Sequence, residues 1–292
     1  MTRVGIIGTG MLGSAVGIHL LDSGFELTAY NRTKNKTTDL AKKGAKVVDF
    51  PKDVAKASDL VFTIVKNADA VKDISFGKNG IVEGKRDGLV VAYMSTINPV
   101  ESKNIAKKFA AYGITMLDIP VMGGPNVAID GKLVMMASGN KETFEKYRKV
   151  FDTVANQIFF LGENGTAHAV KLAMNIQIAL LALAISEGIT LARGANVDPE
   201  IFLKILNSTY FKTGMSENKA YKMIKESFEP TFTLNNLKKD LDTINEAAKA
   251  FGVNLPISTK ANEIFKKAAD AGFGDLDYTA ILAYIKKLSK QK

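Results

Sequence analysis

A strand-like run, Val4-Gly5-Ile6-Ile7, passes directly into Gly8-Thr9-Gly10-Met11-Leu12-Gly13, and an amphipathic helical pattern continues from Ser14 to Leu21. A strand, a glycine-rich turn and a helix in this order open a βαβ unit whose helix N-terminus receives the pyrophosphate of a dinucleotide. Gly8 permits the tight turn, Gly10 lets the phosphates approach the backbone, and Gly13 lets helix and strand pack closely. Met11 and Leu12 of the turn are assigned to the cofactor pocket. So is Val65, which closes the apolar run Leu60-Val61-Phe62-Thr63-Ile64-Val65.

Up to Gly162 short apolar runs alternate with helical patterns, the signature of parallel strands joined by crossover helices. Strands are expected at Val4–Ile7, Glu26–Tyr30, Asp59–Ile64, Leu89–Ala92, Thr115–Leu117, Leu133–Ser138 and Ile158–Leu161. After Gly162 the alternation stops. One helix is expected over about 165–194, roughly 40 Å long at about 1.5 Å per residue, with Gly194 and Asn196 as stop signals. Further helices are expected at Pro199–Asn207, Glu217–Ser227, Leu234–Phe251, Ser258–Ala271 and Tyr278–Leu288. The chain therefore reads as α/β: a Rossmann-type dinucleotide-binding domain over residues 1–163, then an all-α substrate and dimerisation domain over 164–292, joined through the long inter-domain helix.

The end of the second strand selects among dinucleotides. It reads Ala29-Tyr30-Asn31-Arg32-Thr33-Lys34, with no carboxylate where NAD-binding sheets hold the ribose 2′-hydroxyl. Arg32 offers a planar fork of donors to a 2′-phosphate, with Asn31 and Thr33 as neutral neighbours and Lys34 or Lys36 as added positive charge. NADP(H) is the expected cofactor.

Composition narrows the chemistry. The chain has no cysteine, which excludes disulfides, thiolate nucleophiles, iron–sulfur clusters and Cys-ligated zinc. Two histidines, His19 and His168, are too few for a His-rich metal site, so no metal is expected. The net charge of +9 suits a site for a polyphosphate and a small carboxylate substrate. Because the lysines are scattered without an interleaved aromatic stripe, no nucleic acid is expected. Met1-Thr2-Arg3 leads straight into the first strand, and the apolar run Ile176 to Ile185 is broken by Gln177 and followed by Ser186 and Glu187, short of the ~20 residues that span a bilayer. The expectation is a cytoplasmic protein with no membrane partner.

Four blocks in order resemble the β-hydroxyacid (3-hydroxyisobutyrate) dehydrogenase family over essentially the whole chain. The glycine fingerprint is close to the family's G-L-G-x-M-G, with Thr9 and Leu12 as variants. Ser95-Thr96-Ile97-Asn98-Pro99 follows a strand as the family's S-T-x-x-P does, and the resemblance implies that it lies beside nicotinamide and substrate. Asp118-Ile119-Pro120-Val121-Met122-Gly123-Gly124 is similar to the substrate-binding D-A-P-V-S-G-G, with Met122 in place of the serine. Gly162-x-x-Gly165, leading to Lys171 and Asn175, is similar to the catalytic G-x-x-G-x-x-x-x-x-K-x-x-x-N, and Lys239-Asp240 matches a downstream K-D pair.

Lys171 and Asn175 are four apart and share one helix face. A lysine among Val170, Leu172 and Ala173 should, if buried, have a lowered pKa suited to proton transfer near neutrality. Lys171 is thus the expected general acid/base. Asn175 and the amides of Gly123 and Gly124 are expected to hold the carboxylate and carbonyl, with Ser95 and Thr96 facing the same cavity and Lys239 near the cofactor. His19 is read as structural, and His168 as not catalytic. The expected activity is interconversion of a small hydroxy acid and its aldehyde or keto acid by hydride transfer to or from NADP(H), with glyoxylate or succinic semialdehyde reduction favoured, by a homodimer or homotetramer. An imine reductase-like enzyme and a non-catalytic NADPH-binding module are the alternatives; Lys171 argues against the first, and the Lys171 and Asn175 pair against the second.

Overall fold

The computed structural model describes residues 2–290, and among them nine strands form one sheet system. The strands are β1 Val4–Ile7, β2 Leu27–Tyr30, β3 Lys46–Val47, β4 Leu60–Thr63, β5 Val90–Tyr93, β6 Thr115–Asp118, β7 Val121–Met122, β8 Leu133–Gly139 and β9 Ala155–Phe160. Their order is β3-β2-β1-β4-β5-β6-β8-β7, with β9 pairing β8. From β3 to β6 every pairing is parallel, and β8 then turns antiparallel to β6. The strand order reverses between β1 and β4. In open α/β sheets the crevice beyond the strand C-termini at such a switch point is where ligands bind.

The helices against this sheet are α1 Met11–Asp22, α2 Thr38–Lys42, α3 Pro51–Ala57, α4 Ala68–Phe76, α5 Pro99–Ala110, α6 Pro125–Ala128, α7 Lys141–Lys146 and α8 Arg148–Val154. They cover both of its faces. One face packs Ile6, Phe62 and Leu117 with Val16, Leu20 and Phe151, and the other packs Ile7, Val61 and Val91 with Val54, Ile74 and Phe109. Central strands buried on both sides explain why β1, β4 and β5 are almost entirely apolar, with the buried Thr63 ending β4.

The remaining helices are α9 Thr166–Gly194, α10 Pro199–Asn207, α11 Gly214–Asn218, α12 Ala220–Ile224, α13 Leu234–Phe251, α14 Pro256–Ala268 and α15 Ile281–Lys290. The C-terminal core joins Leu172, Ala179 and Leu183 of α9 to Leu237, Leu241 and Ile244 of α13 and Phe265 of α14. Asp198, Thr213 and Thr233 cap α10, α11 and α13 by accepting backbone N–H bonds.

The structure departs from the sequence reading in several places. Strands β3 and β7 span two residues each, and such brief pairings leave no period-2 pattern to read. The single helix expected over Glu217–Ser227 is two, α11 and α12, meeting at Lys219, whose ammonium is held by Asp277 at 2.9 Å and Thr231 at 2.8 Å. Packing divides the chain into the units Met1–Lys171 and Leu172–Lys292, a division that falls inside α9. The reason is local, since Gly165 and Ala167 bond to Asp118 and Ser138 of the sheet. Finally, α9 is 29 residues long with a mean hydropathy of 1.8 in its most apolar window, long and apolar enough to cross a membrane by those measures alone. The break at Gln177 therefore does not disqualify it by length. A third of that window is buried, and the residues of α9 that are buried include the polar Asn175 and Ser186.

Candidate active site

The glycine turn fulfils its expected geometry. Gly8 has φ +98°, a left-handed conformation, and a Cβ there would stand 2.2 Å from the Ile64 carbonyl oxygen. A Cβ on Gly13 would stand 2.0 Å from the Gly8 carbonyl oxygen, so helix and strand approach as closely as backbone allows. Around Gly10 a Cβ would meet nothing within 4 Å. The first turn of α1 carries no acidic residue and no side-chain cap, leaving its N–H groups and positive dipole end to an anion.

Asn31, expected as a neutral cofactor partner, holds the turn together. Its Oδ1 accepts from the Thr9 N–H at 3.0 Å and its Nδ2 donates to the Thr33 carbonyl at 3.0 Å. Thr9, buried, donates its hydroxyl to the Lys36 carbonyl at 2.9 Å, tying the glycine turn to the segment that carries Arg32 and Lys34. Arg32 is exposed and has no ion-pair partner among the described residues, whereas Lys34 is paired with Asp49 at 2.8 Å.

Ser95 is engaged within the sheet. It is buried, accepts from the Val65 N–H at 2.9 Å and donates to the Thr63 carbonyl at 3.3 Å. Its hydroxyl thus fastens the loop after β4 to Thr63. Thr96, the next residue, is partly exposed.

In the third and fourth blocks, Met122 and Lys171 come together. The Lys171 ammonium lies 3.0 Å from the Met122 thioether sulfur, and both side chains are half-buried. Gly123 follows with φ +114°, which only glycine adopts without strain, and a Cβ there would press on Leu133 and Val127. Gly124 then caps the short α6. Beneath this turn lies Asp118, wholly buried, which accepts from Ser102 Oγ at 2.5 Å, from Ser138 Oγ at 2.9 Å and from the Gly165 N–H. His168, also wholly buried, stands with Nε2 3.4 Å from the same carboxylate. Burial would raise the Asp118 pKa, but the facing imidazole of His168 and the bonds from Ser102 and Gly165 outweigh it and hold the carboxyl below the ordinary carboxylate value.

In the C-terminal unit, buried Asn175 donates from Nδ2 to Asp240 Oδ2 at 2.7 Å, and Lys239 pairs with Asp240 Oδ1 at 2.7 Å. A carboxylate accepts only, so this contact fixes which way the amide points. Asn175 Oδ1 is left buried without a hydrogen-bond partner among the described residues.

Sequence comparison matches residues 3–162 to the NAD binding domain of 6-phosphogluconate dehydrogenase and residues 165–285 to the NAD-binding domain of NADP-dependent 3-hydroxyisobutyrate dehydrogenase. The chain belongs to the β-hydroxyacid dehydrogenase family. It is an NAD(P)-dependent oxidoreductase of that family's hydroxyacid type. It is 32% identical to glyoxylate/succinic semialdehyde reductase 1 of Arabidopsis thaliana over 97% of this chain and 98% of the relative. It is 31% identical to 2-hydroxy-3-oxopropionate reductase of Escherichia coli over 99% of each chain. The crystal structure of a 3-hydroxyisobutyrate dehydrogenase from Salmonella typhimurium superposes with a TM-score of 0.89 at 26% identity, covering 97% of this chain and all of that one.

Membership of the β-hydroxyacid dehydrogenases agrees with the sequence reading of fold and family. The buried partners Ser102, Ser138, His168 and Asp240 were not assigned to the site from sequence. Asp118 and Asp240 stood inside quoted motifs, and a charged residue in an apolar stretch such as Met116-Leu117-Asp118-Ile119 is the signal that could have marked the first.

Proposed function

We propose that this chain is an NADP(H)-dependent oxidoreductase that interconverts a small hydroxy acid and its aldehyde or keto acid, with Lys171 as general acid/base. The observation that carries the proposal is the Lys171 ammonium 3.0 Å from Met122, at the turn that presents Gly123 and Gly124. The open backbone at Gly10, the uncapped start of α1 and the exposed fork of Arg32 fit a dinucleotide with a 2′-phosphate.

NADP(H), when bound, supplies the hydride for reduction or takes it up in oxidation. Lys171 gives its Nζ proton to the carbonyl oxygen during reduction and takes the hydroxyl proton in the reverse direction. Thr96 and the backbone of Gly123 and Gly124 hold the substrate carboxylate, a contribution of positioning. Asn175 takes a different part from the one its residue type suggested. Its fixed amide leaves an acceptor unpartnered, which matches a substrate hydroxyl better than a carboxylate.

Short aldehyde acids such as glyoxylate or succinic semialdehyde are the proposed substrates. The relatives named for such reductions support this, as does Met122, which removes the serine hydroxyl found in the family motif. A homodimer or homotetramer is proposed because Leu191, Ile201, Ile205 and Tyr210 are exposed on the C-terminal unit. The test is a panel of aldehyde acids and hydroxy acids followed by NADPH absorbance. Turnover of a short aldehyde acid that is faster with NADPH than with NADH is expected, and no turnover with any member would overturn the proposal.

A further inference from the structure

The Asp118 carboxylate joins parts of the N-terminal unit that are far apart in sequence. It sits at the C-terminal end of β6, beside Tyr93 of β5 and Ser138 of β8 in register. Its oxygens accept from Ser102 on α5, Ser138 on β8 and the Gly165 N–H just before α9, and they face His168 in the first turn of α9. Two catalytic segments leave this point. Four residues further along the chain from Asp118 is Met122, and three beyond His168 is Lys171, and the two side chains meet at 3.0 Å. The chain thus departs from one carboxylate in two directions and closes again at the ammonium.

We propose that Asp118 is a positioning residue for the reaction: by accepting from the Gly165 N–H and packing its carboxylate 3.4 Å from His168 Nε2 it fixes the rotation and height of the first turn of α9, and hence the place of the Lys171 ammonium. Three residues separate His168 from Lys171, less than one helical turn of 3.6, so a rotation at His168 is passed directly to Lys171. Backbone hydrogen bonds along α9 leave no slack to absorb it. The bonds to Asp118 are charge-assisted and buried, the condition in which each is strongest and in which losing the acceptor leaves several donors without partners. A displacement of about 1 Å from a proton-transfer geometry can cost on the order of 10²-fold in rate.

The inference rests on Lys171 being the general acid/base, so the experiment separates the two claims. Turnover and NADPH affinity are measured for D118N, K171A and the double variant, with NADPH bound fluorimetrically. D118N is expected to lower kcat by about tenfold or more while leaving NADPH affinity within about twofold. In the K171A background it should lower the residual rate no further, because Asp118 acts through Lys171. Unchanged kcat in D118N, or an equal loss in both backgrounds, overturns the inference. Wild-type turnover in K171A overturns instead the functional reading on which it rests. Should D118N lose its fold, shown by loss of NADPH binding, S102A removes one donor to the same carboxylate and is read in the same way. A several-fold fall in kcat confined to the Lys171 background supports the role, and no change contradicts it.

Discussion

The ammonium of Lys171 lies 3.0 Å from the thioether sulfur of Met122, a contact between residues 49 apart in sequence. Sulfur is a weak acceptor, so this neighbour packs beside the lysine without holding it as an oxygen would. Met122→Ser is expected to lower KM for 3-hydroxyisobutyrate by several-fold or more. A hydrogen bond to a charged group is worth about 1.5–3 kcal/mol, roughly 10- to 150-fold in affinity. Unchanged KM in steady-state kinetics, with the wild type already turning that substrate over well, would show that Met122 does not line the pocket.

Arg32→Ala is expected to weaken NADPH by about tenfold or more and NADH very little, because only the first carries a 2′-phosphate for the guanidinium fork. Fluorescence titration with both nucleotides measures the two dissociation constants. Equal losses would make Arg32 a structural residue.

Gly13→Ala is expected to destabilise the N-terminal unit, since its Cβ would stand 2.0 Å from the Gly8 carbonyl oxygen. Overpacking of this kind costs about 1–3 kcal/mol. Chemical denaturation followed by circular dichroism reads that cost directly, and wild-type stability would mean that the turn can open without penalty.

Asp118 also gives stability a pH dependence with a defined sign. Its folded pKa lies below the ordinary value, because the bonds and the imidazole around it outweigh its burial. The stability it contributes is therefore fully present above the unfolded carboxylate pKa of about 3.9 and is lost as pH falls through the lowered folded value. Thermal melts taken from about pH 6 to about pH 3 should show a shallower acid loss in Asp118→Asn than in wild type. Identical slopes would remove Asp118 from the acid response.

How much of this was legible in the sequence follows from how local each signal is. The bounds of β1, α10 and α13 were readable because an apolar run or period, with a cap or a glycine at its end, is written in consecutive residues. Strand β3 was not, because two residues held only by pairing with β2 carry no such period. The same distinction applies within the site. Lys171, Asn175, Met122 and the glycines were marked by motifs, but their supports were not, because Asp118 finds Ser102, Ser138 and Gly165 at separations of 16, 20 and 47 residues. Ser95 shows the converse. Its residue type and neighbours pointed to substrate, while its burial engages the hydroxyl with Val65 and Thr63.

Single-turnover reduction of a short aldehyde acid by Lys171→Ala, with NADPH affinity measured on the same preparation, tests the central claim most directly. General acid–base catalysis contributes about 10²- to 10⁴-fold, so the rate should fall by more than ~10² with nucleotide binding nearly intact. A variant that keeps most of its turnover would contradict the assignment of Lys171 as the proton donor.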